Sequence, residues 1–155
     1  MGRKNNPKKR FPKPDTVYNS YLISLFVLRI LKSGKKSLAR KIIKETLDII
    51  SEKTNEEPLI FIERAIKNVS PSIELKSRKV GGATYQIPIP ITKYRSTTTA
   101  IRWIIDYART RSGKSMPIKL ANEIIDASKG FGSSMRRKNE LYSMAEANKA
   151  FSVRY

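Results

Sequence analysis

Apolar residues recur three and four positions apart over most of this chain, and the breaks fall at Gly, Pro and Ser. "YLISLFVLRILKS" is apolar nearly all round, which predicts a central helix, capped by Asn19 or Ser20 and ended at Gly34. A second helix is expected from Lys36, with Ala39, Ile42, Ile43, Leu47 and Ile50 on one face. The third follows "TNEEP", where Thr54 and Glu57 have the spacing of a capping box and Pro58 suits a first turn; Leu59, Ile62, Ile66 and Val69 form its stripe. A fourth is predicted from about Thr97 to Arg111, burying Ile101, Ile104, Ile105 and Ala108. The fifth starts at Ser115, buries Leu120, Ala121, Ile124 and Ile125, and stops at Gly130. The sixth follows Ser133 and reaches about Phe151, with Leu141, Met144, Ala145 and Phe151 inward.

Between the third and fourth helices the period changes to two. Ser70-Pro71 breaks the helix, and two strands are expected over 73–80 and 83–90, joined by Gly81-Gly82. In "KSRKVGGATYQIPIPI", Tyr85, Ile87, Ile89 and Ile91 share one face, and Pro88 and Pro90 share the other, where they block pairing at an edge. A two-stranded ribbon is marginal alone in water, so its base needs bracing by the helices. The expected fold is therefore mainly α: one six-helix domain over 14–155 with a protruding two-stranded β-hairpin, preceded by a flexible basic N-terminal arm over 1–13.

Charge changes the picture more than composition does. The 155 residues hold 32 Lys and Arg against 13 Asp and Glu, a net charge of +19. Self-repulsion of that size works against a compact state unless a polyanion is near. "MGRKNNPKKRFPK" carries six cations, Arg3, Lys4, Lys8, Lys9, Arg10 and Lys13, and no acid. Six of the acids fall within 45–63 (Glu45, Asp48, Glu52, Glu56, Glu57, Glu63), whereas 76–111 holds Lys76, Arg78, Lys79, Lys93, Arg95, Arg102, Arg109 and Arg111 against Asp106 alone. A polarised molecule follows, with the arm, the hairpin base and the fourth helix toward the polyanion and the second and third helices away from it.

Catalytic readings are weak. With no Cys and no His, thiolate and imidazole metal sites, Cys nucleophiles and His-based acid–base schemes are absent, and no cofactor is implied. "ARTRSGKS" (108–115) fits a loose phosphate-binding loop, but that loop follows a buried strand and this one follows a helical pattern; Gly113 ending one helix and Ser115 starting the next is the simpler account. Glu56-Glu57 suit a helix N-terminus better than a carboxylate pair in catalysis. Lys35-Lys36 in "SGKKS", with Lys114, and Lys129, Arg136, Arg137 and Lys138 around a Gly-Phe-Gly joint, read as phosphate contacts at helix joints, the last group beside free N–H groups of the sixth helix. Tyr85 has two readings, stacking on a base or packing on the facing strand. Few aromatics remain for stacking, which favours recognition by backbone charge and shape.

"LKSGKKSLARKII" (31–43), "LKSRKVGGATYQIP" (75–88), "AIRWIIDYARTRSGKSM" (100–116) and "MAEANKAF" (144–151), with "PDTVYNS" (14–20), resemble the bacterial-type small-subunit ribosomal protein seven family. The likeness covers essentially everything beyond the arm, in order. It implies a non-enzymatic helical protein with a protruding hairpin, bound to the 3′ major domain of small-subunit rRNA. It implies nucleation of head assembly, a place near the E-site tRNA and the mRNA exit, small-subunit ribosomal protein eleven and other head proteins as neighbours, no membrane and no homo-oligomer. Carried onto this chain, rRNA contact falls on the arm cations, Lys35, Lys36, Lys76, Arg78, Lys79, Arg95, Arg102, Arg109, Arg111 and Lys114, with Gly81 and Gly82 toward the tRNA. Two stretches depart from the family: Glu140 to Ser143 lacks the usual His, and "ITKYRSTTT" (91–99) is less basic than usual.

Ile exceeds Val by 19 to 5 and Lys exceeds Arg by 19 to 13, as AT-rich genes favour. "KTNEEPLIFIERAIKNVSP" resembles plastid members, and the chain opens on neither an apolar signal nor a transit peptide. A plastid-encoded protein of the chloroplast stroma is expected, with bacterial cytoplasm or mitochondrion as alternatives. Two other classes compete on charge alone. A DNA-binding regulator would present Arg102 and Arg109 to a major groove; a membrane-surface protein would need a basic amphipathic helix with a broad aromatic face, which is not found.

Overall fold

The computed structural model describes residues 11–80 and 82–149. Arg3, Lys4, Lys8, Lys9 and Arg10 of the arm lie outside the described residues, as do Gly81 and Phe151. Six helices and one hairpin follow in order: α1 (Tyr21–Ile30), α2 (Lys36–Thr54), α3 (Pro58–Val69), β1 (Ile73–Val80), β2 (Ala83–Pro90), α4 (Lys93–Thr110), α5 (Met116–Ser128) and α6 (Ser133–Ala147).

The stripes read from the sequence form the core. Helix α5 packs against α2, α3, α4 and α6, and its Leu120, Ala121 and Ile124 are buried. Phe26 and Ile23 of α1, Ile50 of α2, Val69 of α3 and Ile101, Ile104 and Ile105 of α4 close around it. Each such side chain contributes ~1.5–3 kcal/mol by leaving water. Met144 is an exception to the expected inward set, at 38% exposed, because α6 meets the body through Leu141 and Ala145 instead.

Several boundaries differ from the expected ones. Helix α1 ends at Ile30, because Ser33 and Gly34 both take positive φ in the link to α2. The capping box does not form: Thr54 is the last residue of α2 and its hydroxyl donates back to the Ile50 carbonyl (2.7 Å), while Asn55, at φ 53°, ends the helix. Helix α4 begins at Lys93 rather than Thr97. Its threonines tolerate the helix because Thr97 and Thr98 donate to the carbonyls of Lys93 and Arg95, both at 3.0 Å. Residues 11–13, taken as arm, lie on the body: Phe11 meets Tyr94, and the Lys13 carbonyl accepts from the Ser24 hydroxyl at 2.7 Å.

Candidate nucleic-acid interface

The hairpin register is continuous from Ile73 opposite Pro90 to Val80 opposite Ala83, leaving a two-residue turn in which Gly82 takes φ +88°. Pro88 and Pro90 sit at alternate positions, so neither interrupts the ladder and their missing N–H groups fall on the open edge. The register also separates the strand cations. Lys76 and Arg78 stand opposite Ile87 and Tyr85 on one face, while Lys79 stands opposite Thr84 on the other.

The base of the ribbon is braced by α4 and α6. The Tyr142 hydroxyl accepts from the Ser72 N–H (2.9 Å) and shares a hydrogen bond with the Ser72 hydroxyl (2.7 Å). Ser96 donates to the Pro71 carbonyl at 2.5 Å, and Arg95 bonds Glu74, which also lies 3.8 Å from Lys76. Burial raises the Tyr142 pKa, but the Ser72 contacts and the nearby Lys138 cation outweigh it, so the phenol titrates below its ordinary 10.0. Lys138 itself turns inward and donates to the Asn68 carbonyl (2.5 Å); the Asn68 amide in turn caps the carbonyls of Ala127 and Ser128 at the end of α5.

Along α4, Arg95, Arg102 and Arg109 recur every seven residues and are all exposed. Seven residues are almost two turns, so the three lie on one stripe about 10 Å apart. Arg102 makes no ion pair among the described residues, and Arg109 holds Asp106 at 3.6 Å on the surface. Beside the stripe, Arg29 of α1 lines a shallow depression with Leu28, Tyr94, Thr98 and Ile101. Lys35 and Lys36 are exposed at the α1–α2 joint. No side chain caps α2 there and no acid lies in its first turn, so its dipole and its N–H groups face outward among cations.

Helix α2 is itself polarised. Its first half presents Lys36, Arg40, Lys41 and Lys44, and its second half Glu45, Asp48 and Glu52, all exposed over about 28 Å of axis. Thr54 and Lys53, at the end of α2, line a depression with Arg111, Ser112 and Lys129, because α2 and α4 both finish against α5.

At that end the sequence reading missed a buried ion cluster. Glu123 is fully buried; its Oε1 accepts from the Ser134 N–H (3.0 Å) and hydroxyl, and its Oε2 lies 3.1 Å from Arg111 Nε. Arg111 also bonds Asp126. The carboxylate thus caps α6 from α5, filling an N-terminus that was expected to be open to phosphate. Gly132 allows this, with φ +94° and room so small that a Cβ would sit 3.2 Å from Glu123 Oε1. In "NEIID" the spacing sets Glu123 on the face of Leu120 and Ala127, but its role as a cap shows only once α6 is placed beside it. Ser115 at the start of α5 makes no side-chain cap bond, Lys114 is exposed beside it, and "ARTRSGKS" runs from the end of α4 into α5, with no strand before it.

No group of residues among those described is fit to hold a metal ion, and no described helix is long and apolar enough to cross a membrane. The family profile described as ribosomal protein S7p/S5e matches residues 2–149. Among curated relatives, small ribosomal subunit protein uS7c of Trieres chinensis is 52% identical, over 93% of this chain and 91% of its own. Small ribosomal subunit protein uS7 of Microcystis aeruginosa is 51% identical and that of Gloeothece citriformis 50%, each over 97% of both chains.

Proposed function

The chain belongs to the ribosomal protein S7p/S5e family and is a structural, non-enzymatic constituent of the small ribosomal subunit; from that premise we propose that it binds the 3′ major domain of small-subunit rRNA and nucleates assembly of the head. The arginine stripe of α4 carries this reading, with Lys35 and Lys36 at the α1–α2 joint and Lys76 and Arg78 on the hairpin adding to it. It offers cations in a row, set on rigid elements, for a phosphate backbone to follow. Arg111 supports it less directly, holding the α4–α5–α6 junction in shape through Glu123. The hairpin tip at Gly81-Gly82 reaches toward the E-site tRNA and the mRNA exit, with small-subunit ribosomal protein eleven and other head proteins as neighbours and no second copy of the chain. The uS7c relative and the two cyanobacterial ones favour a plastid ribosome or one of bacterial type.

Titration of labelled 3′ major domain rRNA with the full chain over a salt series tests the proposal. If about eight cations meet phosphates, log affinity falls against log salt with a slope of about −6 to −7. An affinity indifferent to salt, or a preference for duplex DNA, overturns it.

A further inference from the structure

Phosphate contact leaves one exposed feature unused. Phe11 is 58% exposed and Tyr94 38%, although the rings meet edge to face with centroids 5.0 Å apart and planes at 89°. That geometry covers one face of one ring and leaves the others open to whatever lies outside. A pair serving merely to pin the chain would gain by sinking, since a buried Phe contributes ~1.5–3 kcal/mol over an exposed one. Tyr94 sits over the Leu25–Ile101 floor of the α1–α4 depression. Lys93 and Arg95 flank Tyr94, Lys13 follows Phe11 by two residues, and Arg29 lines the same depression; no acid lines it. Glu74, the acid nearby on β1, is engaged by Arg95 and Lys76.

An open aromatic face among cations suits a base that has left its helix: the ring takes the π-face, and the cations take the phosphates on either side. Paired RNA hides its bases and would leave such a ring idle. We infer that Phe11 and Tyr94 form a stacking site for one unpaired base of the rRNA, at a bulge, loop or single strand, with Lys93, Arg95 and Arg29 on the adjoining phosphates. The site rests on the rRNA reading above and adds to it a contact that reads base exposure rather than charge.

The test compares the full chain with Phe11→Leu and Phe11→Trp, titrating labelled 3′ major domain rRNA over a salt series. Stacking is worth ~1–3 kcal/mol per base, so Phe11→Leu weakens binding by about 5- to 150-fold with the salt slope unchanged, while Phe11→Trp binds within about twofold of the parent. The new indole is quenched by rRNA carrying unpaired bases and not by a fully paired RNA of equal length; Trp103, which is buried, supplies a constant background measured on the parent chain. Unaltered binding by Phe11→Leu overturns the inference, as does a loss accompanied by a shallower slope, which would mean that Phe11 acts by holding the arm cations. An unquenched indole in a complex of full affinity overturns it as well. If the parent chain itself lacks salt-dependent affinity for the rRNA, the broader reading has failed, and that result is distinct from the others.

Discussion

Glu123 is the residue on which the largest single effect is expected. Its carboxylate is fully buried between Arg111 and the first turn of α6. Glu123→Ala removes the cap on Ser134 and one of the two carboxylates on Arg111, which keeps Asp126, so urea unfolding should show a loss of about 2–4 kcal/mol. Gly132→Ala should cost about 1–3 kcal/mol in the same assay, from the backbone strain alone, with the approach to Glu123 adding to it. Tyrosine titration offers a second check at this scale. Burial, then Asp48 and Asp15, raise Tyr18, and burial, then Tyr94, raise Tyr21, whereas Tyr142 is lowered. NMR should find Tyr142 ionising before Tyr18 and Tyr21. Because its folded pKa lies below the unfolded value, its pH-linked stabilisation is complete above that unfolded value, is lost as pH falls through the folded one, and is nil at neutrality. The sequence hid both features for one reason. Glu123 and Tyr142 act through residues on other elements, and local spacing does not reveal which.

Elements were far more legible. Periods of three to four and of two located all six helices and both strands, and "VGGA" fixed the turn, because these signals are local. The errors came where local signals compete. Thr54 had capping spacing, yet the helix before it was long enough to claim it; the fourth helix was expected from about Thr97 and begins four residues earlier, with the Thr97 hydroxyl bonded back to the Lys93 carbonyl. The hairpin's bracing likewise depends on contacts from both flanking helices. Tyr142→Phe keeps the ring and removes the bond to Ser72, so amide exchange should quicken at Glu74, whose N–H faces the partner strand, while the α5 amides stay protected. On the arginine stripe, Arg102→Gln should lower rRNA affinity and flatten the salt slope by about one unit, leaving the melting temperature unchanged because the side chain is exposed and makes no ion pair among the described residues.

For the whole molecule, the distribution of charge matters more than its sum. The sequence put the acids at 45–63 apart from the cations at 76–111, and α2 carries that gradient within one helix. Two reversals of equal charge probe this. Lys36→Glu, at the cationic end, should weaken rRNA binding by more than tenfold; Glu52→Lys, at the other, adds two positive charges where long-range attraction is screened beyond about 10 Å at 0.1 M salt and should change it by less than about threefold. Equal effects from both would mean that overall charge, and not its placement, governs binding.

None of the six helices has its first turn closed by its own N-cap side chain, and none carries an acid there; α6 alone of those described borrows a carboxylate from α5. Each missing cap forgoes about 1 kcal/mol. On the rRNA reading, a chain built in this way is at its weakest when free, and any polyanion that docks on its folded form raises the population of folded molecules by mass action. Copies without RNA should then be open to proteases for more of the time than bound ones, which pulse proteolysis with and without the 3′ major domain rRNA measures.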